Sequence, residues 1–211
     1  MRFVGIDPAT KTGFVALDVD GMVLEERELQ GEGRKEKGGI TPEQLVSLEN
    51  QLYTLLQPGD IIAIEQPAVG TQTAVTAGMI HGGLRTMIYR KSLKYDDVNP
   101  MRTKKFVGEG RRIPSNEKKA VIAAAVWEHY GYRHSSDNVT DAYIIARIAQ
   151  ALHQVKNGKN LELFTPYQQD VIKAILYPAD KTAKKSKTNK RRGKPATVVS
   201  YTQSTEQGFL F

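Results

Sequence analysis

Two acids in this 211-residue chain close short apolar runs in the same way. Phe3-Val4-Gly5-Ile6 ends in Asp7 followed by Pro8, and Ile61-Ile62-Ala63-Ile64 ends in Glu65 followed by Gln66-Pro67. Two more acids, Asp137 and Asp141, share one face (i, i+4) at the start of an amphipathic segment. Singly, each has an ordinary structural role: Asp-Pro opens turns, and acids at a helix start serve the cap and the dipole. Gathered in one place they would form a dense negative cluster, which repels itself unless a divalent cation neutralises it. All-oxygen donors suit Mg²⁺ or Mn²⁺. Two such ions, about 4 Å apart, activate a water and stabilise the leaving oxygen in phosphodiester hydrolysis.

Competing chemistries lack their residues. The four histidines, His81, His129, His134 and His153, have no ligand-like spacing. No phosphate-cradling G-x-x-x-x-G-K-[ST] loop and no G-x-S-x-G nucleophile elbow occurs. The absence of cysteine excludes disulfides and thiolate metal sites and suits a cytoplasmic protein. No apolar run is long enough to span a bilayer, so no membrane partner is expected.

Whether the acids meet depends on the elements that carry them. The first run reads as a buried strand, and Phe14-Val15-Ala16-Leu17 as its hairpin partner. Met22 to Leu29 reads as a third, more exposed strand behind the Asp20-Gly21 turn. Thr41-Pro42-Glu43-Gln44 opens a helix with a capping box, leucines 45, 48, 52, 55 and 56 recur at helical spacing, and Pro58-Gly59 ends it. The run that follows, with no polar alternation, is a strand buried on both faces. A strand, a helix and another buried strand make a right-handed crossover, so the second run lies parallel to an earlier one. If that neighbour is the first strand, Asp7 and Glu65 share one edge of the sheet.

Downstream, 71–90 is predicted helical, with Gly78, Gly82 and Gly83 open to close approach by another backbone. Tyr95 to Val98 is a last strand, and Asn99 to Arg112 a short helix running into a basic loop. Further helices are predicted from Ser115-Asn116-Glu117 to about Tyr130, from the Asp137-Asp141 segment to Val155, and within 161–176 behind Thr165-Pro166.

The strings GIDPATKTGFVAL, IIAIEQP, GEGRRIPSNEKKAV and DNVTDAYIIA, in this order and spacing, resemble the RuvC Holliday-junction resolvase family of the RNase H-like superfamily. The likeness spans residues 1 to about 155. It implies an α/β, RNase H-like fold, with a mixed five-stranded sheet flanked by helices. It also implies a metal-dependent endonuclease, working as a homodimer, that cuts four-way DNA junctions and leaves a 5′ phosphate. On the resemblance, Asp7, Glu65 and Asp141 match three acids of the metal site. The family commonly has Asp or His three residues before the last acid, where this chain has Asn138, with Asp137 just before it. Asp137 is the favoured fourth ligand after a small register adjustment; Asn138 acting through its carbonyl is the alternative. Lys104, Lys105, Arg111 and Arg112 fall in the block that resembles the DNA-contacting loop, and Lys118 matches a basic position near the site. Lys104 and Lys118 are read as phosphate contacts. A broader flap or RNase H-type nuclease, or a junction-binding protein with impaired catalysis, is the alternative function.

The net charge of +7 is unevenly spread. Residues 178–211 hold eight lysines and arginines against two acids, which puts +6 in that segment and +1 in the rest. A basic body is therefore not the source of the high isoelectric point. The expected organisation is a nuclease domain over 1–157, a short helical extension over 158–177 and a disordered basic tail over 178–211. The chain ends in Gln207-Gly208-Phe209-Leu210-Phe211, which resembles the peptide by which bacterial replication and repair proteins dock on the sliding clamp. Gln207, Leu210 and Phe211 would be the docking residues, in a bacterial or phage setting.

Overall fold

Alternation along two strands decides the architecture. The structure is a computed structural model and describes residues 1–34, 36, 39–67, 74–108 and 117–178. Strand β1 (Phe3–Asp7) pairs antiparallel with β2 (Lys11–Leu17), which pairs antiparallel with β3 (Val23–Gln30). After helix α1 (Pro42–Leu55), β4 (Ile61–Glu65) runs parallel to β1, with Ile6 opposite Ile64. Helix α2 (Ala74–Arg90) leads to β5 (Tyr95–Val98), parallel to β4. The sheet order is β3-β2-β1-β4-β5, the mixed five-stranded sheet expected from the sequence.

Side chains alternate between the two faces of a strand. Val4, Ile6, Ile62 and Ile64 face one layer, where they pack with Leu48 and Leu52 of α1 and Ile80 and Leu84 of α2. Phe3 and Ala63 face the other, among Tyr143, Ile144 and Ile148 of α5 (Asp137–Lys156). That layer also holds α3 (Pro100–Gly108), α4 (Lys118–Tyr130) and α6 (Pro166–Leu176), the last preceded by a 3-10 turn at Leu161–Leu163. Asp7 and Glu65, two residues on from Gly5 and Ala63, are thereby aimed into the α5 layer.

Local chemistry sets the ends of the helices. Thr41 and Gln44 form the reciprocal capping box of α1 with Pro42 in its first turn, as the sequence predicts. Ser136 caps α5 by accepting from the Val139 amide. Arg2, at the entrance of β1, grips Asp60 through two hydrogen bonds of 2.9 and 2.8 Å, and also donates to the Leu55 carbonyl. This buried bidentate pair fastens the turn between α1 and β4 to the start of β1.

The predicted close approach at Gly78 and Gly82 is not made: nothing among the described residues lies within 4 Å of a β-carbon built at either, and Gly83 meets side chains of Glu49 and Leu45. Backbones approach closely at Gly5 and Gly13 instead, beneath α5. The segment over 158–177 packs into the core of the α5 layer, with Val171 and Ile172 fully buried. Met1–Pro178 forms one compact unit. Residues 179–211, with Gln207, Leu210 and Phe211, lie outside the described residues, as do Arg111, Arg112 and the Lys118 side chain. No helix among the described residues is long and apolar enough to cross a membrane.

Candidate active site

Three carboxylates meet where β1 and β4 end under the first turns of α5. The parallel register sets Asp7 beside Glu65, and the two are hydrogen-bonded carboxyl to carboxyl. Burial, then the charges of Glu65 and Asp141, hold the Asp7 carboxyl well above the usual range. Burial also raises Glu65, although the Thr103 hydroxyl, the Asp7 hydrogen bond and the Lys104 charge pull it down. Asp141 is pushed up to about 6 by burial first and Glu65 second.

Each acid is held by something identifiable. The Thr103 hydroxyl of α3 donates to Glu65 Oε1 at 3.0 Å. Behind the strand end, Arg85 of α2 donates to the Glu65 carbonyl oxygen at 2.9 Å and to Asp97 Oδ1 at 2.8 Å. Its other terminal nitrogen meets His81 Nδ1 at 2.7 Å, and burial pushes the His81 imidazole down to about 4, so it accepts as the neutral ring. Asp141 reaches the pair because α5 rests directly on the sheet.

Asp137 and Asn138 differ in their contacts. Asn138 hydrogen-bonds Glu28 of β3, which also binds the Ser136 hydroxyl and Lys11. The Asn138 NH₂ thus serves Glu28. Asp137 adds its charge to Asp141 and pairs with the ammonium of Lys119.

Lys104 lies near enough to lower all three buried acids. Lys105, by contrast, is tied to Asp170 of α6 at 2.8 Å and is not brought to the group. Lys104, Lys119, Ala123, Asp137 and Asp141 line a cleft of about 100 Å³. A larger cavity, of about 540 Å³, opens farther along α5 beside Arg147 and Gln150 and contains none of the four acids. Of the four acids, Asp137 and Asp141 line the smaller space. Sequence reasoning missed Thr103, Arg85 and Lys119. Only Lys119 carried a signal, as the second of two lysines beside a motif.

The donors are all oxygen, buried and short of positive charge, which fits a hard divalent cation. Among the described residues, no three of the acids and histidines are arranged to hold an ion as they stand. Asp7 with Glu65 is a ready pair, Asp141 a near third, and Asp137 an outer member held by Lys119.

The sheet order and its flanking helices define an RNase H-like fold of the RuvC type. Two solved structures carry that likeness. The structure of Thermus thermophilus RuvC superposes with a TM-score of 0.52 at 20% identity, over 75% of this chain and 97% of its own. T. thermophilus RuvC in complex with a Holliday junction substrate gives 0.54 at 15% identity, with the same two shares. No protein-family model and no curated protein matches the sequence.

Proposed function

We propose that this protein is a divalent-metal-dependent endonuclease that resolves four-way DNA junctions, as a homodimer in a bacterial or phage cytoplasm. The observation that carries the reading is the convergence of Asp7, Glu65 and Asp141, from three separate elements, into one buried group short of positive charge. The likeness to a RuvC bound to its junction supports DNA of that shape as the substrate. Asp7, Glu65, Asp141 and Asp137 would hold Mg²⁺ or Mn²⁺, two ions per site, whose chemistry is to activate water and to stabilise the leaving oxygen. Thr103 fixes the direction of the Glu65 carboxylate. Lys104 binds a backbone phosphate and offsets charge that builds up on it during cleavage.

The cutting panel that tests this presents a four-way junction, a flap, a duplex and an RNA–DNA hybrid, each with Mg²⁺. Paired nicks in the junction alone support resolution; cutting of flap or hybrid at equal rate replaces it with a broader nuclease. One observation favours a second reading, a junction-binding protein with impaired catalysis: among the described residues, no three acids stand ready to hold an ion. Binding without cleavage at every Mg²⁺ and Mn²⁺ concentration would establish that.

For the homodimer, the face to examine is the outer side of α2, where Val75 and Tyr89 are exposed and no described residue lies within 4 Å of a β-carbon built at Gly78 or Gly82. The carboxy-terminal Gln207-Gly208-Phe209-Leu210-Phe211 is the proposed clamp-docking peptide. Its deletion is expected to abolish clamp pull-down with junction cleavage intact.

A further inference from the structure

Helix α4 turns toward solvent a strip made of Lys119, Ala120, Ala123, Ala124 and Trp127, all exposed. Their spacings of three and four put them on one side of the helix. The three alanines keep the strip low, and Trp127, the single tryptophan of the chain, stands at its end with 48% of its surface in solvent. Arg133 sets its guanidinium 4.3 Å from the indole centroid. The strip runs into the candidate site, because Lys119 and Ala123 line the cleft that Asp141 lines. Trp127 lies one turn beyond Ala123, about 6 Å along the helix axis.

An indole with a cation against it, reached from a cleft lined by lysines, has the chemistry of a nucleic-acid contact. The ring offers a π-face to a base, and the flanking cations suit the phosphates on either side. In a continuous duplex each base is stacked on its neighbours and has no face to give. At a branch point, or in an unpaired strand, it has one. We infer that Trp127 is a stacking platform for an unpaired or branch-point base of the DNA held in the cleft, and that it favours branched over continuous DNA. The inference rests on the nuclease reading above and adds to it a residue that selects the substrate.

Because Trp127 is the only indole, its emission reports this strip alone. The experiment uses the full chain in EDTA, where no strand is cut, with a dye-labelled four-way junction, a single strand and a blunt duplex. Dye anisotropy follows binding while Trp127 emission is read in parallel. Junction and single strand are expected to quench Trp127, the duplex much less. Trp127→Ala should weaken junction binding on the order of tenfold, with duplex affinity and thermal unfolding unchanged, and Trp127→Phe should keep most of the affinity. Junction binding with steady emission, and equal affinity in Trp127→Ala, overturns the platform and leaves the nuclease reading standing. Emission that follows protein concentration without DNA also overturns it and assigns the strip to a second copy of the chain. Absence of junction binding by anisotropy removes the nuclease reading itself, and the platform with it.

Discussion

Gly5 of β1 lies directly beneath Ala142 of α5: a β-carbon at Gly5 would stand 2.0 Å from the Ala142 carbonyl oxygen. Gly13 of β2 stands in the same relation to Asn138, at 1.9 Å. Both distances are far inside van der Waals contact, so no side chain fits unless the helix lifts. The first turns of α5 therefore rest on bare backbone, and Asp141, the residue before Ala142, is brought down to Asp7 and Glu65. Two residues with no functional group set the geometry of the site.

Replacing Gly5 by Ala is accordingly predicted to act on both stability and activity. Overpacking of this kind costs about 1–3 kcal/mol. The lifted helix should also take Asp141 from its partners, lowering cleavage by more than the loss of folded protein explains. Urea unfolding beside a cleavage assay measures both. An unchanged midpoint would mean that the helix has slack over β1.

Asp137 and Asn138 separate by substitution. Asn138→Ala is expected to leave Mg²⁺-dependent cleavage nearly unchanged, because its amide serves Glu28. Asp137→Ala should lower cleavage about tenfold or more, the scale on which lost metal-site partners act. Equal activity in the two variants would sink the assignment of Asp137 as a ligand.

The buried acids also predict a pH dependence of folding. Asp141 has an ordinary carboxyl value of 3.8 when unfolded and about 6 in the folded chain, so folding takes up a proton between the two. The stability this provides is complete below pH 3.8 and is lost as pH rises through about 6. The loss is worth about 3 kcal/mol by the usual conversion. Denaturation in EDTA should show it as a decline over that window, which Asp141→Asn makes shallower and added Mg²⁺ offsets at neutral pH. A flat profile in the wild type would contradict the burial of Asp141.

Two neighbouring lysines should behave differently toward DNA. Lys104→Ala is predicted to weaken binding across sequences and to reduce the salt slope by about one unit, the signature of one lost phosphate contact. Lys105→Ala, which breaks the pair with Asp170, should leave the slope alone. Identical slopes for both variants and the wild type would remove Lys104 from the DNA contacts.

Much of this arrangement is legible in the sequence. A strand that ends in an acid and a proline can be read locally, and the crossover between β1 and β4 follows from handedness. Asp7 beside Glu65 follows once β4 takes its place next to β1, a choice the sequence left open. The role of Gly5 and Gly13 was not legible, because a glycine in a strand marks close approach only once the approaching helix is known. The Glu28 contact that separates Asn138 from Asp137 comes from more than a hundred residues away in sequence, as the Ser136–Glu28 bond also does. Lys119 was hidden for the same reason: its partner Asp137 belongs to another helix.

The most direct test of the central claim, that the carboxylates at the ends of β1 and β4 form a nucleolytic centre, is single-turnover cleavage of a four-way junction by Asp7→Asn in Mg²⁺, with junction binding measured on the same protein. The amide keeps the shape of the side chain and removes its charge. The prediction is cleavage lost by orders of magnitude with binding retained. Cleavage at the wild-type rate would contradict it and move the chemistry elsewhere.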